Sequence, residues 1–342
     1  MFMKKVRTSA PGKVILFGEH AVVYDKLGIA TSVGLETLVE VIQNNDNIVS
    51  YEIEDYGLKK TMTEKELLEF FNLIEKLKKE KKFDEIKEIQ KKEKLSAAFF
   101  VISTLMKRYG FKPVRITGKT NVKKNLGSGS SAFSAIALSL SKYLGKEISK
   151  KEISDLAYEG DIVAHGGTPS GIDNSAVTYG GYISYRKSEG IKKLDINFEL
   201  PLIFVDSGEP SRTVETVPYI RDQRNGNREF VDKVLDRLDD ISIQSLEALK
   251  QQKMGFFGEL MFEYYIELKK LNISTEKLDK IVEIAIKNKA LGAKPTGGWG
   301  GGCCIVLVKG QEQAKKLMEV YKQRGFNSFQ TKIGVEGVKE IL

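Results

Sequence analysis

Gly127-Ser128-Gly129-Ser130-Ser131-Ala132 opens onto Phe133 to Leu140, a run of small and apolar residues nearly all round. Glycines followed by such a run read as a turn leading into a buried helix. A helix start offers unpaired N–H groups and the positive end of a dipole, and glycines let that backbone come close to a polyphosphate. Of the two adjacent hydroxyls, one can cap the helix or hold phosphate and the other can ligate Mg²⁺. No lysine follows the glycines as it would in a P-loop. The spacing and acid partner of a dinucleotide fingerprint are also missing. Read alone, the hexamer is equally a flexible loop.

Three further segments work outward from it. Gly171-Ile172-Asp173-Asn174 puts an acid in a Gly/Pro/Ser loop. Such an acid can position the hydroxyl that receives a phosphate, although Asp and Asn also cap turns without any chemistry. Ser9 to Val23 (SAPGKVILFGEHAVV) reads as strand, turn, then charged groups set among apolar ones. Lys13, between a Pro-Gly turn and an apolar run, is aimed at a partner, and a lysine beside an acid holds charge near a reacting oxygen. His20 taken singly reads as well as a satisfied core histidine. Lys294-Pro295-Thr296-Gly297-Gly298-Trp299-Gly300-Gly301-Gly302-Cys303 carries five glycines. That many are costly to order unless the backbone must approach a ligand or another backbone. Cys303 and Cys304 start a buried strand, point to opposite faces and carry no chemistry.

The chain of 342 residues exceeds one typical domain and is 41% hydrophobic, which is ordinary for a soluble protein. No apolar run reaches membrane-spanning length and no secretory signal precedes the first motif, so no membrane partner is expected. Two adjacent cysteines make no disulfide framework, which points to a reducing cytoplasm. The net charge of +8 is diffuse. Its densest run, Lys76 to Lys94, is laced with Glu80, Asp84, Glu85, Glu88 and Glu93, and reads as a solvated helical face. With no aromatic-basic strand pattern, no nucleic-acid partner is expected.

The coarse pattern predicts strands at 4–10 and 14–16, broken by Pro11-Gly12, and another over Thr37 to Ile42. Thr63 with Glu66 makes a capping box opening a charged helical hairpin, an insertion over about 57–95. Covering a sheet edge and forming a homodimer are its two readings. Helices follow at Ser96–Tyr109, from Gly129 to Gly145, and from the Ser149/Glu152 capping box to His165. Strands are read at Val114–Thr117, Tyr179–Tyr185, Leu202–Val205 and Cys303–Val308. Further helices are read at 211–239, 243–271, 274–290 and Gln311–Arg324. The mixture argues an α+β fold in two domains, 1–198 and 199–342.

Together the four segments resemble, in order, those of the GHMP kinases, the superfamily of galactose, homoserine, mevalonate and phosphomevalonate kinases. The mevalonate kinases are nearest, through Ser9–Val23 with its Glu19-His20 pair, the PSGIDN loop, and Asn272-Ile273-Ser274-Thr275. The resemblance implies an N-terminal half related to ribosomal S5 domain 2 and a ferredoxin-like C-terminal half. It implies ATP-dependent phosphorylation of mevalonate to 5-phosphomevalonate with Mg²⁺. Asp173 would orient or deprotonate the acceptor hydroxyl and Lys13 would pair with it. Glu19, His20 and Thr296 would bind mevalonate. Gly127, Ser128, Gly129, Ser130, Ser131 and Ala132 would wrap the phosphates, with Ser131 and Asp161 as metal ligands. The chain departs from the family at Lys123-Lys124-Asn125, at Ser128 in place of Leu, at Trp299 in place of Gly, and by one extra residue in Gly166-Gly167-Thr168.

Two rival readings follow from the same residues. One is a kinase of a related acceptor, phosphomevalonate or mevalonate at another hydroxyl, for which Lys123, Lys124 and Arg212 are candidate basic contacts. The other is a sensor that binds ATP without chemistry, which the presence of both Lys13 and Asp173 disfavours.

Overall fold

The structure, a computed structural model, describes residues 4–341, the side chains of Lys124 and Val214 excepted. The chain folds as two compact units. The first holds the chain up to Lys13, Ser32–Gly180 and the stretch from Val335; the second holds Val14–Thr31 and Gly181–Gly334. The chain passes from the first unit to the second at Gly180–Gly181 and returns at Gly334–Val335. Two long strands run through both units, and a strand that continues carries no mark of a boundary in its composition.

In chain order, β1 is Lys5–Phe17, β2 Gly28–Gln43, β3 Val49–Ile53 and β4 Leu58–Met62. The charged helical hairpin is α1 (Glu64–Lys79) and α2 (Phe83–Lys92), followed by α3 (Ser96–Tyr109) and β5 (Val114–Thr120). Then come α4 (Ser128–Tyr143), α5 (Lys150–His165), α6 (Ile172–Tyr179), β6 (Tyr182–Arg186), β7 (Gly190–Leu194) and β8 (Leu202–Asp206). Helices α7 (Thr213–Gly226), α8 (Arg228–Lys250), α9 (Met254–Lys269) and α10 (Glu276–Lys287) precede β9 (Gly292–Thr296) and β10 (Cys303–Leu307). The chain closes with α11 (Gln311–Gln323), β11 (Asn327–Phe329) and β12 (Lys339–Ile341).

The first unit's strands are ordered β12-β1-β2-β5-β3-β4. Its core joins Val39, Val41, Ile116 and Tyr51 on the strands to Phe99, Phe100, Ile136 and Leu140 on the helices, all essentially buried. Helix α4 is buried nearly all round, as its composition predicts. Both predicted capping boxes form, Thr63 with Glu66 and Ser149 with Glu152. The break expected at Pro11-Gly12 is absent. Strand β12 pairs with β1 only from Arg7 to Ser9, so that edge is open where proline stands. The sequence places Gly171–Asn174 in a loop and a strand from Tyr179, where the structure forms helix α6. Its Val, Thr and Tyr favour strands by propensity, but pinned side chains override that preference. Asn174 donates to Ser154 on α5, and Ser134 on α4 bonds Thr178.

In the second unit β11-β8-β10-β9 forms an antiparallel sheet. Numbered by occurrence, its strands lie in the order 4-1-3-2 with helices in both crossovers, the ferredoxin-like arrangement expected from the resemblance. Strands β6 and β7 extend the start of β2. The long predicted helix 211–239 is interrupted at Asn227, whose side chain caps α8 by accepting from the Phe230 N–H. Strand β9, with Lys294, Pro295 and Thr296, was not read from the sequence at all. Its pairing with β10 is tertiary, and Pro295 within it argues against a strand locally.

Gly160 lets α5 lie close on α4. A Cβ there would sit 2.7 Å from Cδ2 of Phe133 and 3.0 Å from Val101 Cγ2. Gly160→Ala should therefore destabilise the fold by roughly 1–3 kcal/mol, the usual cost of overpacking. A lowered urea midpoint at unchanged slope would show this, and an unchanged midpoint would refute the tight contact.

Candidate active site

In the first unit, Lys13 on β1 and Asp173 in the first turn of α6 form an ion pair, Nζ to Oδ2 2.9 Å. The lysine side chain is 5% exposed and that of Asp173 33% exposed, so the pair presents a carboxylate to solvent from a buried cation. The Lys13 stem lies against Gly127. A Cβ at Gly127 would meet Lys13 Cγ at 2.8 Å, and its φ of +82° is left-handed. Glycine is required there on both counts. The predicted turn is shorter than read: α4 already begins at Ser128, so Ser128, Gly129 and Ser130 are its first turn. The backbone N–H of Ser131 donates to the Gly127 carbonyl at 3.0 Å. The three N–H groups before it have no carbonyl within the helix to bond, and they face outward along its axis.

The two serines take different partners. Ser130 Oγ donates to both carboxylate oxygens of Asp161, at 3.0 and 2.8 Å. Ser131 Oγ donates to the Ala10 carbonyl at 2.7 Å and is fully buried. The expected grouping of Ser131 with Asp161 is therefore replaced by Ser130 with Asp161. The hydroxyl that ties α4 to β1 is the one facing the strand, a difference of one residue that helix phase decides. Asp161 is 2% exposed. Burial, and then the charge of Asp173, raise its pKa to about 8 against the opposing Ser130 hydrogen bonds and Lys13.

In the second unit, Glu19 and Lys294 form an ion pair whose side chains are both 0% exposed. Lys294 also donates to the Pro295 carbonyl at 2.9 Å and lies 5.2 Å from the Tyr264 ring centre. Tyr264 accepts from the Gly18 N–H and donates to the Glu19 carbonyl. Glu19 was expected to line a substrate pocket, and here its carboxylate is held by Lys294 inside the unit. Thr296, expected to face substrate, donates instead to the Ile15 carbonyl at 2.8 Å and is 3% exposed. His20 is buried with φ 61° and is bonded by the Gly298 backbone. Burial lowers its pKa to about 4, so the ring is neutral at pH 7, and its Nε2 has no hydrogen-bond partner among the described residues. Trp299 is fully buried at φ 58° and stacks on Tyr265, with ring centres 6.1 Å apart. Sequence reasoning missed Lys294, although a lysine inside a buried Gly-rich segment was the available signal. Lys123 and Arg212 are exposed, and the side chain of Lys124 lies outside the described residues. Among the described residues no cluster of three or more His, Cys, Asp or Glu could hold a metal, and no helix is long and apolar enough to cross a membrane.

The GHMP kinases N terminal domain model matches residues 95–181 and the GHMP kinases C terminal model matches 245–327. The mevalonate kinase of Pyrococcus horikoshii is 30% identical over 346 residues, covering 98% of each chain. The chain belongs to the mevalonate kinase family of GHMP kinases. The mevalonate kinase of Pyrococcus furiosus is 31% identical over 345 residues, again 98% of each chain. The crystal structure of the Methanococcus jannaschii mevalonate kinase superposes with a TM-score of 0.78 at 26% identity, covering 97% of this chain and 98% of that one. The chain is thus a kinase of a family that uses ATP.

Asp161 also sets a pH dependence for this family member. The folded protein keeps its proton up to about pH 8, whereas a freely exposed Asp releases it near 3.8. The folded state then binds more protons across that window, so stability falls as pH rises through it. Asp161→Asn should match the parent near pH 4 and exceed it by roughly 2–5 kcal/mol above pH 8. Urea unfolding at both pH values measures this, and equal pH slopes would overturn the assignment.

Proposed function

We propose that the chain transfers the γ-phosphoryl group of ATP to the 5-hydroxyl of mevalonate, giving 5-phosphomevalonate and ADP in the cytoplasm. The observation that carries this reading is the 2.9 Å pair of Lys13 with a part-exposed Asp173, beside the open start of α4. Near-full-length similarity to mevalonate kinases supports the acceptor.

Phosphoryl transfer asks for positioning and charge neutralisation more than covalent chemistry. Asp173 accepts the hydrogen bond of the acceptor hydroxyl and aims its oxygen at the γ-phosphorus. The new O–P bond forms as the bond to the β–γ bridging oxygen breaks. The hydroxyl proton passes late to Asp173, because a carboxylate already paired with an ammonium orients better than it abstracts. Lys13 holds Asp173 and stabilises the charge gathering on the transferred group. The N–H groups of Ser128, Gly129 and Ser130 hold the phosphates at the positive end of α4.

The donor set of the first unit fits Mg²⁺. Asp161 and Ser130 supply hard oxygens, and the high proton affinity of Asp161 is that of a buried carboxylate with too little positive charge nearby. These two residues would hold the ion, which when bound neutralises charge on the β- and γ-phosphates. In the second unit His20 is the proposed contact to mevalonate. Glu19 and Thr296 serve as its frame through Lys294 and Ile15.

The test is ATP-dependent phosphorylation of mevalonate, with ³¹P and ¹³C NMR locating the new phosphate. Asp173→Asn and Lys13→Met should each lower turnover by roughly 10²–10⁴-fold with ATP affinity largely kept. Near-normal turnover in either variant would reject its role. An unmodified protein that phosphorylates another acceptor, and not mevalonate, would reject the substrate.

A further inference from the structure

The charged insertion grips α5 on both sides of Asp161. At the end of α1, Lys78 Nζ contacts Glu75 at 2.6 Å and also pairs with Glu159 of α5. Its side chain is 18% exposed and its ammonium lies 5.0 Å from the Phe100 ring centre on α3. Shielding of this kind makes the pair worth more than a surface salt bridge. In the middle of α2, Lys87 packs on Gly166, the left-handed residue that ends α5 at φ 58° and ψ 51°. A Cβ on Gly166 would stand 2.5 Å from Lys87 Cβ and 3.0 Å from Lys87 Cα. Between Lys87 and Lys78, Ile86 is fully buried, which anchors α2 in the first unit's core. Asp161 lies two residues beyond Glu159 and five before Gly166, so the gripped span is the turn that bears it.

We propose that the inserted hairpin is a brace for the metal-binding turn, in which Lys78, through Glu159, and the Lys87–Gly166 contact are positioning elements holding Asp161 at Ser130. The proposal rests on the reading of Asp161 and Ser130 as the cation's ligands. The reason for a brace is physical. The Asp161 carboxylate takes both of its hydrogen bonds from the single Ser130 hydroxyl, so a frayed last turn would let it swing away. A helix C-terminus frays most easily where its last carbonyls have few partners. The insertion supplies packing there instead.

Lys78→Met keeps the stem over Phe100 and removes the charge. Lys78→Arg keeps the charge. Gly166→Ala tests the other contact. The metal readout is Mn²⁺ affinity by EPR with a non-hydrolysable ATP analogue, independent of turnover. Mevalonate KM and the thermal midpoint are measured in parallel. Lys78→Met and Gly166→Ala should each weaken Mn²⁺ binding about fivefold or more with mevalonate KM within about twofold, and Lys78→Arg should restore most of the affinity. Unchanged Mn²⁺ affinity in a folded Lys78→Met protein would overturn the brace. Equal losses in metal affinity and mevalonate KM would also overturn it, as general loosening. Failure of the underlying reading looks different: Asp161→Asn would then bind Mn²⁺ as tightly as the parent.

Discussion

Much of the first unit can be understood as what it takes to keep one ammonium beside one carboxylate. Lys13 is almost wholly buried and its partner is not. Such a lysine is tolerated only with a charge partner at hydrogen-bond range, because an unpaired buried ammonium would cost several kcal/mol. The surrounding residues make that partner unavoidable. Gly127 gives the lysine stem a channel past the start of α4. Ser131 ties that same turn to β1 through the Ala10 carbonyl. Asn174 and Thr178 pin α6 to α5 and α4, which leaves Asp173 at the helix start, where a negative charge is also favoured by the dipole.

The second carboxylate is handled the opposite way. Asp161 has hydroxyl hydrogen bonds but, among the described residues, no directly paired cation, and it sits near Asp173. Burial, and then the charge of Asp173, raise the proton affinity of Asp161, while Asp173 itself holds the Lys13 ammonium at 2.9 Å. This division follows from geometry: the strand lysine reaches one acid closely and the other only through space.

Legibility from sequence followed the range of the interactions. Capping boxes, the stop at Gly110 and the buried character of α4 were readable because their causes lie within four residues. The α+β class came from the mixture of short helices and strands, and the Lys13–Asp173 pairing from the resemblance of the motifs to those of the GHMP kinases, since periodicity does not contain that contact. What stayed hidden was tertiary. Helix α6 carries strand-prone residues, and its neighbours decide its form. Which of Ser130 and Ser131 meets Asp161 depends on the phase of a helix whose first residue was misplaced. Glu19 and Thr296 face a ligand by resemblance to the family, and in the structure each has a buried protein partner, Lys294 on an unread strand for the first and the Ile15 carbonyl for the second.

Trp299 shows how a departure from a family pattern can be absorbed. A non-glycine residue at φ 58° carries backbone strain on the order of 1–3 kcal/mol. Full burial of an indole ring against Tyr265 offsets that strain, while the buried Nε1 of the ring, which has no hydrogen-bond partner among the described residues, opposes it. The ring is held behind the loop, since Tyr265 donates to Asp279 and the Gly300 N–H donates to the Ile273 carbonyl. The glycines on either side keep their backbone freedom, and the Gly298 carbonyl still meets both His20 and the Thr216 hydroxyl. The loop's conformation is therefore fixed by packing from within the second unit, where Gly298 to Gly302 are all buried.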